Sequence, residues 1–287
     1  MKKILLSILS ISLFLTTGCF KRDTMDDIDI YTTIYPINYI VSSLYKDNGR
    51  VHSIYPNGVD VTTYELTNKQ IEDYSNSDLF VFNSRDRDLN YAVEMINKNK
   101  NLKIIDVCLG MEYTYSIEEL WLDPYNYLMM AQNVKTSLFN YIDNPYLEKE
   151  ITDNYDELKL EVSELDASLK ETVSSSTYNT IVVDNNLFKY LEKYNLNIIS
   201  LDEDNDANKD KTLDDVKKLI NNGSIKYVFT IDDETNETVK NLISKYNIEL
   251  VKINAMRSVD GGISNSNENY ITIMKENINA LKRELYK

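Results

Sequence analysis

The sequence predicts an α/β protein of two lobes, each a parallel sheet flanked by helices, joined by one long connecting helix. Short apolar segments rich in β-branched residues alternate with helical segments on both sides of the middle of the chain. This alternation indicates parallel strands that are covered on both faces. Between the two halves, residues 145–174 contain no glycine, and no proline after Pro145. Apolar residues recur there at helical spacing, which predicts one helix of about eight turns.

The N-terminal lobe is predicted to contain four strands alternating with helices. We expect Thr67 to cap one of these helices, because its hydroxyl can accept a hydrogen bond from an otherwise unpaired amide. The expected strands span residues 28–33, 51–55, 78–82 and 102–107, and the expected helices end at residues 45, 74, 97 and 142.

The C-terminal lobe repeats this pattern. An acidic loop is expected at residues 202–211, followed by a helix that Thr212 would cap. The expected strands span residues 180–183, 197–201, 227–230 and 249–253, and the expected helices 187–194, 212–221, 234–246 and 268–286. Ligand sites in such sheets lie at the carboxyl ends of the strands, so we expect these ends of the two lobes to face each other across a cleft.

The first residues have the layout of an export signal. A basic start is followed by an apolar run over residues 4–15 and by small residues before Cys19. The apolar run is too short to span a bilayer as a permanent helix. Residues 16–19 resemble a bacterial lipobox, which implies that Cys19 carries lipid and becomes the new N-terminus. Two acyl chains hold a protein stably on a membrane, so we expect an extracytoplasmic lipoprotein anchored to the outer face of the cell membrane.

These features divide the chain into five segments. The predicted boundaries are a signal peptide at 1–18, a lipidated tether at 19–27, an N-terminal lobe at 28–143, a linker helix at 144–175 and a C-terminal lobe at 176–287.

Composition excludes several classes of function. The formal net charge is −15, and removal of two lysines with the signal makes it more negative. Such a surface repels nucleic acid and anionic headgroups. No disulfide is possible within the chain once Cys19 is acylated, because Cys108 is the only other cysteine. The chain lacks nucleophile, P-loop and dinucleotide signatures, and its single histidine, His52, cannot complete a triad, so we expect no enzyme.

Several segments together resemble the metal-binding solute-binding lipoproteins of zinc and manganese ABC transporters. The most specific is Trp121-Leu122-Asp123-Pro124, which resembles that family's turn before a helix. The other matching segments are residues 31–36, 58–67, 78–83, 101–107, 110–112, 188–191 and 270–285. The resemblance covers the whole mature chain and implies an ABC permease and ATPase as partners, with the chain itself a monomer.

The family's metal site is not retained residue by residue. The resemblance implies three histidines and a carboxylate as ligands. Their positions fall here on Thr62, Glu119, Asn185 and either Asp232 or Asn254. Carboxylate, amide and hydroxyl oxygens suit calcium, magnesium or manganese, whereas zinc prefers imidazole and thiolate. The first hypothesis is therefore one divalent metal ion, whether manganese, zinc or calcium, in a degenerate or oxygen-rich site.

Two alternatives use the same scaffold without a metal. In one, the cleft binds a non-metal solute, with Tyr35, Tyr64, Trp121 and Asp123 as the expected lining residues. Because the chain has 22 tyrosines, most of them must fill the core or the surface. In the other alternative, the chain is a surface adhesin or interaction lipoprotein that binds no metal.

Overall fold

The computed structural model describes residues 22–56, 59, 61, 63–202, 209–231, 235–257 and 268–287. Within them the chain forms two lobes, each built on a parallel sheet of four strands with helices packed against it. This confirms the predicted fold class. The strands are β1 (Ile28–Thr32), β2 (Gly49–Ser53), β3 (Leu79–Phe82), β4 (Lys103–Asp106), β5 (Thr180–Val183), β6 (Asn197–Ser200), β7 (Tyr227–Ile231) and β8 (Glu249–Ile253).

Helices cover both sheets and connect the lobes. No helix among the described residues is both long enough and apolar enough to cross a membrane. The α-helices are α1 (Tyr35–Tyr45), α2 (Asn68–Ser75), α3 (Asp88–Lys98), α4 (Glu119–Leu122), α5 (Pro124–Leu138), α6 (Pro145–Ser174), α7 (Lys209–Asn221), α8 (Glu237–Lys245) and α9 (Tyr270–Leu285), with 3₁₀ helices at Lys46–Asn48 and Asn186–Tyr194.

The two sheets have the same strand order. It is β2-β1-β3-β4 in the first lobe and β6-β5-β7-β8 in the second, and all neighbouring strands are parallel. The first strand of each lobe is therefore central, and the carboxyl ends of all four strands lie at one edge. The loops that follow these strands carry the candidate site.

The long helix α6 joins the lobes as predicted. Asn144 caps it, because its side-chain oxygen accepts hydrogen bonds from the amides of Tyr146 and Leu147. Its buried face packs against α1 and α5 of the first lobe and α9 of the second. One continuous buried cluster extends from the first lobe along α6 into the second lobe. A smaller cluster lies on the other face of the second sheet.

Some helix predictions were wrong in type or in starting point. The segment expected as an α-helix at 187–194 is a 3₁₀ helix, whose buried Phe188, Leu191 and Tyr194 recur every third residue. That spacing fits three residues per turn. Thr212 is not a cap, because α7 already begins at Lys209, and Asn236 caps α8 in place of a start at residue 234.

The described part of the predicted tether packs on the first lobe. Met25 is buried, and the amide of Asp23 donates to the carbonyl of Tyr141 at 3.0 Å. Lys103 forms an ion pair with Asp23 at 2.8 Å. Residues 22–27 are therefore folded onto the lobe instead of forming part of a free tether, and they contact the turn that follows α5, which ends at Leu138 and not at the predicted residue 142.

Candidate functional site: the cleft between the lobes

Trp121 lies at the contact between the lobes. It is part of the single turn α4, which follows β4 through the loop of residues 107–118. Its indole nitrogen donates to the carbonyl of Ala255 at 2.8 Å, and its own carbonyl accepts from the Tyr270 hydroxyl at 2.7 Å. Trp121 is only 4% exposed. Trp121, which was predicted to line the cleft, therefore joins the two lobes and exposes little of its surface to a solute.

Asp123 has a structural role at the same contact. Its side chain caps α5 by accepting from the amide of Tyr125 at 3.0 Å. The same oxygen, Oδ1, also accepts from the ammonium group of Lys193, which comes from the 3₁₀ helix of the second lobe. The charge of Asp123 is thus neutralised across the cleft.

Glu119, one of the predicted metal ligands, holds its own loop in place. Its Oε1 accepts from the amides of Tyr115 at 2.5 Å and Ser116 at 2.8 Å, and its Oε2 accepts from the amide of Thr114 at 3.2 Å. A carboxylate offers about four lone-pair sites. These three bonds leave one site, on Oε2, for any further partner.

Its neighbour Glu118 is paired with the opposite lobe. The carboxylate is buried, and its Oε1 accepts from Nε of Arg257 at 2.7 Å and from Nη2 at 2.6 Å. Oε2 accepts from the hydroxyl of Ser116. Arg257 follows β8, so this pair joins the loops at the carboxyl ends of the two sheets.

The second lobe contributes Asp184 and Asn185, which directly follow β5. Asn185, also a predicted ligand, caps the 3₁₀ helix by accepting from the amide of Leu187 at 2.8 Å. Asp184 is 8% exposed, and its Oδ2 accepts from the buried hydroxyl of Thr230. Its Oδ1 is buried without a hydrogen-bond partner among the described residues. Burial raises the pKa of Asp184 to about 6. Sequence reasoning missed this carboxyl group, which a ligand search one residue wider would have included.

Two of the predicted ligands, Thr62 and Asp232, lie outside the described residues. Two described residues on either side of Thr62 in the chain, Val61 and Leu66, bond to residues at the start of α3. The Arg87 guanidinium donates to the carbonyl of Val61, and the amide of Leu66 donates to the Tyr91 hydroxyl at 3.2 Å. Asn254, the alternative to Asp232, accepts at Oδ1 from the amide of Met256 at 2.7 Å.

The tyrosines predicted to line the cleft are divided between the lobe contact and the first lobe. Burial raises the pKa of Tyr35 to about 12, and Tyr35 lies beside Tyr39 and the start of α9. Next to it, the rings of Tyr127 and Tyr270 stack at 3.7 Å across the lobes. Tyr64 instead packs edge-on against Tyr55 and accepts from Gln70 at 2.9 Å.

Soft metal ligands are not gathered in the cleft. His52 lies on β2, with its Nε2 3.5 Å from Asp29, and Cys108 is fully buried. Across the described ranges, no three side chains of histidine, cysteine, aspartate or glutamate lie close enough together to hold a metal ion.

A groove of about 480 Å³ lies beside the cleft, between Tyr115 of the first lobe and the end of β6. Lys189 lies there with its ammonium group 5.4 Å from the centre of the Tyr115 ring. Ser200 and Asp202 line its other side. The groove can accept a polar organic molecule of modest size.

Two α/β lobes that meet at the carboxyl ends of their sheets, bridged by a single long helix, define a solute-binding protein. The chain matches the family described as ZnuA, zinc-uptake complex component A, periplasmic, over residues 30–284. The match spans both lobes, and the chain belongs to this family.

Curated relatives agree with this assignment. The chain is 23% identical over 290 residues to the high-affinity zinc uptake system protein ZnuA of Bacillus subtilis (strain 168), covering 91% of this chain and 88% of the relative. It is 24% identical to a metal ABC transporter substrate-binding lipoprotein of Lactococcus lactis subsp. lactis (strain IL1403), covering 100% and 98%. It is 22% identical to the zinc-binding lipoprotein AdcA of Streptococcus pneumoniae (strain ATCC BAA-255 / R6), covering 99% of this chain but only 61% of that longer protein.

Solved structures share the fold. The metal-dependent lipoprotein YcdH of Bacillus subtilis has a TM-score of 0.73 at 20% identity, covering 91% of this chain and 100% of that one. The Zn(II)-bound ZnuA-like domain of Streptococcus pneumoniae AdcA has a TM-score of 0.70 at 20% identity, with the same coverage. At this identity the similarity shows the shared fold alone.

Proposed function

We propose that this chain is the extracytoplasmic solute-binding lipoprotein of a metal-type ABC uptake system, and that it delivers a divalent cation to a membrane permease driven by an ATPase. The observation that carries this proposal is the family match over residues 30–284, which takes in both lobes and the cleft between them. Solute binding, without enzymatic turnover, is the activity proposed for the chain.

The cargo follows from the donors at the cleft. We propose that Glu119 and Asn185 supply oxygen ligands from the two lobes, with Thr62 and Asp232 as further ligands. Glu119 has one lone-pair site left, and the Asn185 amide oxygen also has capacity beyond its capping bond. Neutral oxygens with few carboxylates favour hard cations over zinc and give weak calcium sites. We therefore expect manganese or calcium to bind, with a dissociation constant of about 10⁻⁵ M or weaker.

Thermal unfolding of a soluble form that starts after Cys19 tests the cargo. A ligand at about 100 times its dissociation constant stabilises the folded state by about 2.7 kcal/mol. Millimolar manganese or calcium should therefore raise the melting temperature by several degrees, and EDTA should reverse the rise. Glu119→Gln and Asn185→Ala should each reduce it. Glu112→Gln, at an exposed position of the neighbouring loop, is the matched control and should leave the rise unchanged.

A melting temperature that stays flat across manganese, calcium and zinc would remove the metal cargo. The groove between Tyr115 and β6 supports the second candidate, an organic solute carried by the same scaffold. A Lys189→Ala variant would then lose binding of that solute, whereas a metal site at Glu119 would be unaffected by the change.

Anchoring is tested separately. We propose that Cys19 carries the lipid and that the protein is a monomer at the membrane surface. In fractionated cells the wild-type chain should be found with the membrane, and Cys19→Ser should move it to the soluble fraction. Light scattering of the soluble form should give the mass of one chain. Membrane retention of the Cys19→Ser chain would contradict the lipid anchor.

A further inference from the structure

The ion pair between Glu118 and Arg257 places an internal cation in the cleft. The two residues are 139 positions apart and belong to different lobes. Two guanidinium nitrogens contact the same carboxylate oxygen, at 2.7 and 2.6 Å. The Glu118 side chain is 8% exposed and that of Arg257 is 31% exposed. The carboxylate is thus buried, and its counter-charge reaches it from the solvent side.

A carboxylate buried to this degree needs a compensating cation or several hydrogen-bond donors. Around Glu118, the only such groups among the described residues are Arg257 and the hydroxyl of Ser116. In a protein that binds divalent cations between its lobes, this carboxylate would be a charged oxygen donor on the first lobe. In this chain the guanidinium already occupies it.

Two other acidic residues near Glu118 on the first lobe already have partners of their own. Glu119 is held by three backbone amides of its own loop, and Asp123 is paired with Lys193. Amides leave the full negative charge of Glu119 in place but use most of its lone pairs. A divalent ion that enters the cleft therefore gains a second carboxylate from the first lobe only by displacing a cation of the second lobe.

We propose that Arg257 is a specificity-determining residue, which occupies the cation position at Glu118 and thereby weakens the cleft for divalent metal ions. The proposal rests on the proposed function for the location of the cleft. Arg257 and an external cation compete for one carboxylate. Removal of the guanidinium frees Glu118 as a ligand, and manganese or calcium then binds more tightly than to the wild-type chain.

Titration calorimetry with manganese alone, repeated with calcium alone, tests the competition on four soluble proteins. Arg257→Gln should bind at least tenfold more tightly than the wild type. Arg257→Lys keeps a cation next to Glu118 and should stay within about threefold. Arg283→Gln is the matched control, because it removes an arginine from an exposed ion pair with Glu249 on the same lobe and should change nothing.

Glu118→Gln provides a test that does not depend on the folding of an Arg257 variant. If the guanidinium occupies Glu118 in the wild type, loss of the Glu118 charge should leave the wild-type metal affinity within about threefold. A tenfold loss would show that Glu118 already binds the ion, which overturns the proposal. Wild-type affinity in a folded Arg257→Gln protein, checked by circular dichroism, would overturn it as well.

The outcomes separate this proposal from the proposed function. If the wild type and Arg257→Gln bind manganese equally, the metal cargo stands and the role of Arg257 fails. If only Arg257→Gln binds, the competition is supported and metal delivery by the wild-type chain fails. If neither protein binds either ion, both proposals fail, because no external cation competes at the cleft.

Discussion

The replacement Asp88→Asn should stabilise the protein at neutral pH, by an amount that disappears in acid. Asp88 begins α3 and directly follows Arg87, which donates to the carbonyl of Val61. It is 2% exposed, and the Tyr55 hydroxyl donates to its Oδ1 at 2.9 Å. Burial raises the pKa of this carboxyl group from 3.8 to about 6, despite hydrogen bonds that favour its ionised form. The folded state thus keeps a costly charge in the interior of the first lobe.

The sign and size of this stabilisation follow from the linkage between proton binding and folding. Because the folded pKa of Asp88 lies above the unfolded value, its ionisation opposes folding. The cost is absent well below pH 3.8, grows between pH 3.8 and 6, and is complete above pH 6. A shift of about two pKa units corresponds to about 3 kcal/mol at pH 8, and to about half of that at pH 5. Asparagine keeps the oxygen that accepts from Tyr55 and removes the charge.

Urea unfolding of the wild type and Asp88→Asn at pH 8 and pH 5 measures the difference. Asp156→Asn, at an exposed position on α6, is the control and should stay within about 0.5 kcal/mol of the wild type at both pH values. A gain for Asp88→Asn that is the same at pH 8 and pH 5 would refute the reasoning, because the effect would then not come from ionisation. A loss of stability at pH 8 would show that the ionised carboxylate is needed there.

Three further predictions use groups away from Asp88. Glu284 is fully buried and accepts from the amides of Lys226 and Tyr227 at 3.1 and 3.0 Å. Glu284→Ala should therefore lower the free energy of unfolding in urea by about 2–4 kcal/mol. The control Glu276→Ala, at an exposed position on the same helix, should lower it by less than about 0.5 kcal/mol. Burial raises the pKa of the Cys108 thiol, so a thiol reagent should label the soluble form only at the rate of unfolding, and fast labelling of the native protein would contradict this. Trp121 is the only tryptophan, so its fluorescence should be blue-shifted and shielded from acrylamide, and Trp121→Phe should destabilise the protein by about 1–2 kcal/mol through loss of the bond to Ala255. Strong quenching in the folded protein would place the indole in solvent and contradict the contact between the lobes.

The sequence pattern correctly predicted the helices and strands whose formation depends mainly on neighbouring residues. The helix at 145–174 and the strands at 180–183 and 249–253 have the predicted bounds. The Thr67 cap was confirmed as well, with Gln70 completing a capping box. The 3₁₀ helix was mistaken for an α-helix because its buried Leu187, Leu191 and Tyr194 also have the i, i+4, i+7 spacing of an α-helix. The folding of residues 22–27 was missed because it depends on contacts with distant residues such as Lys103.

The candidate site could be predicted only in part, because its contacts also join residues that are far apart in the sequence. Resemblance pointed to Trp121 and Asp123, and both lie at the contact between the lobes. It did not show that Asp123 would be neutralised by Lys193 from the other lobe. Arg257 could not be found from the sequence at all, because an ion pair across 139 positions leaves no local pattern.

The contacts across the cleft also bear on how a solute enters it. The buried cluster is continuous along α6, and the Tyr127–Tyr270 stack closes the contact between the lobes beside it. Wide opening would expose these rings and break the bonds of Trp121 to the second lobe. Glu118 and Arg257 are joined by an ion pair that solvent reaches from the arginine side, because the Arg257 side chain is 31% exposed, whereas Tyr127 and Tyr270 are fully buried. We therefore expect a solute to enter when the Arg257 side chain moves away from Glu118 while the apolar contact holds the lobes together, and Arg257 then affects access to the cleft as well as its charge.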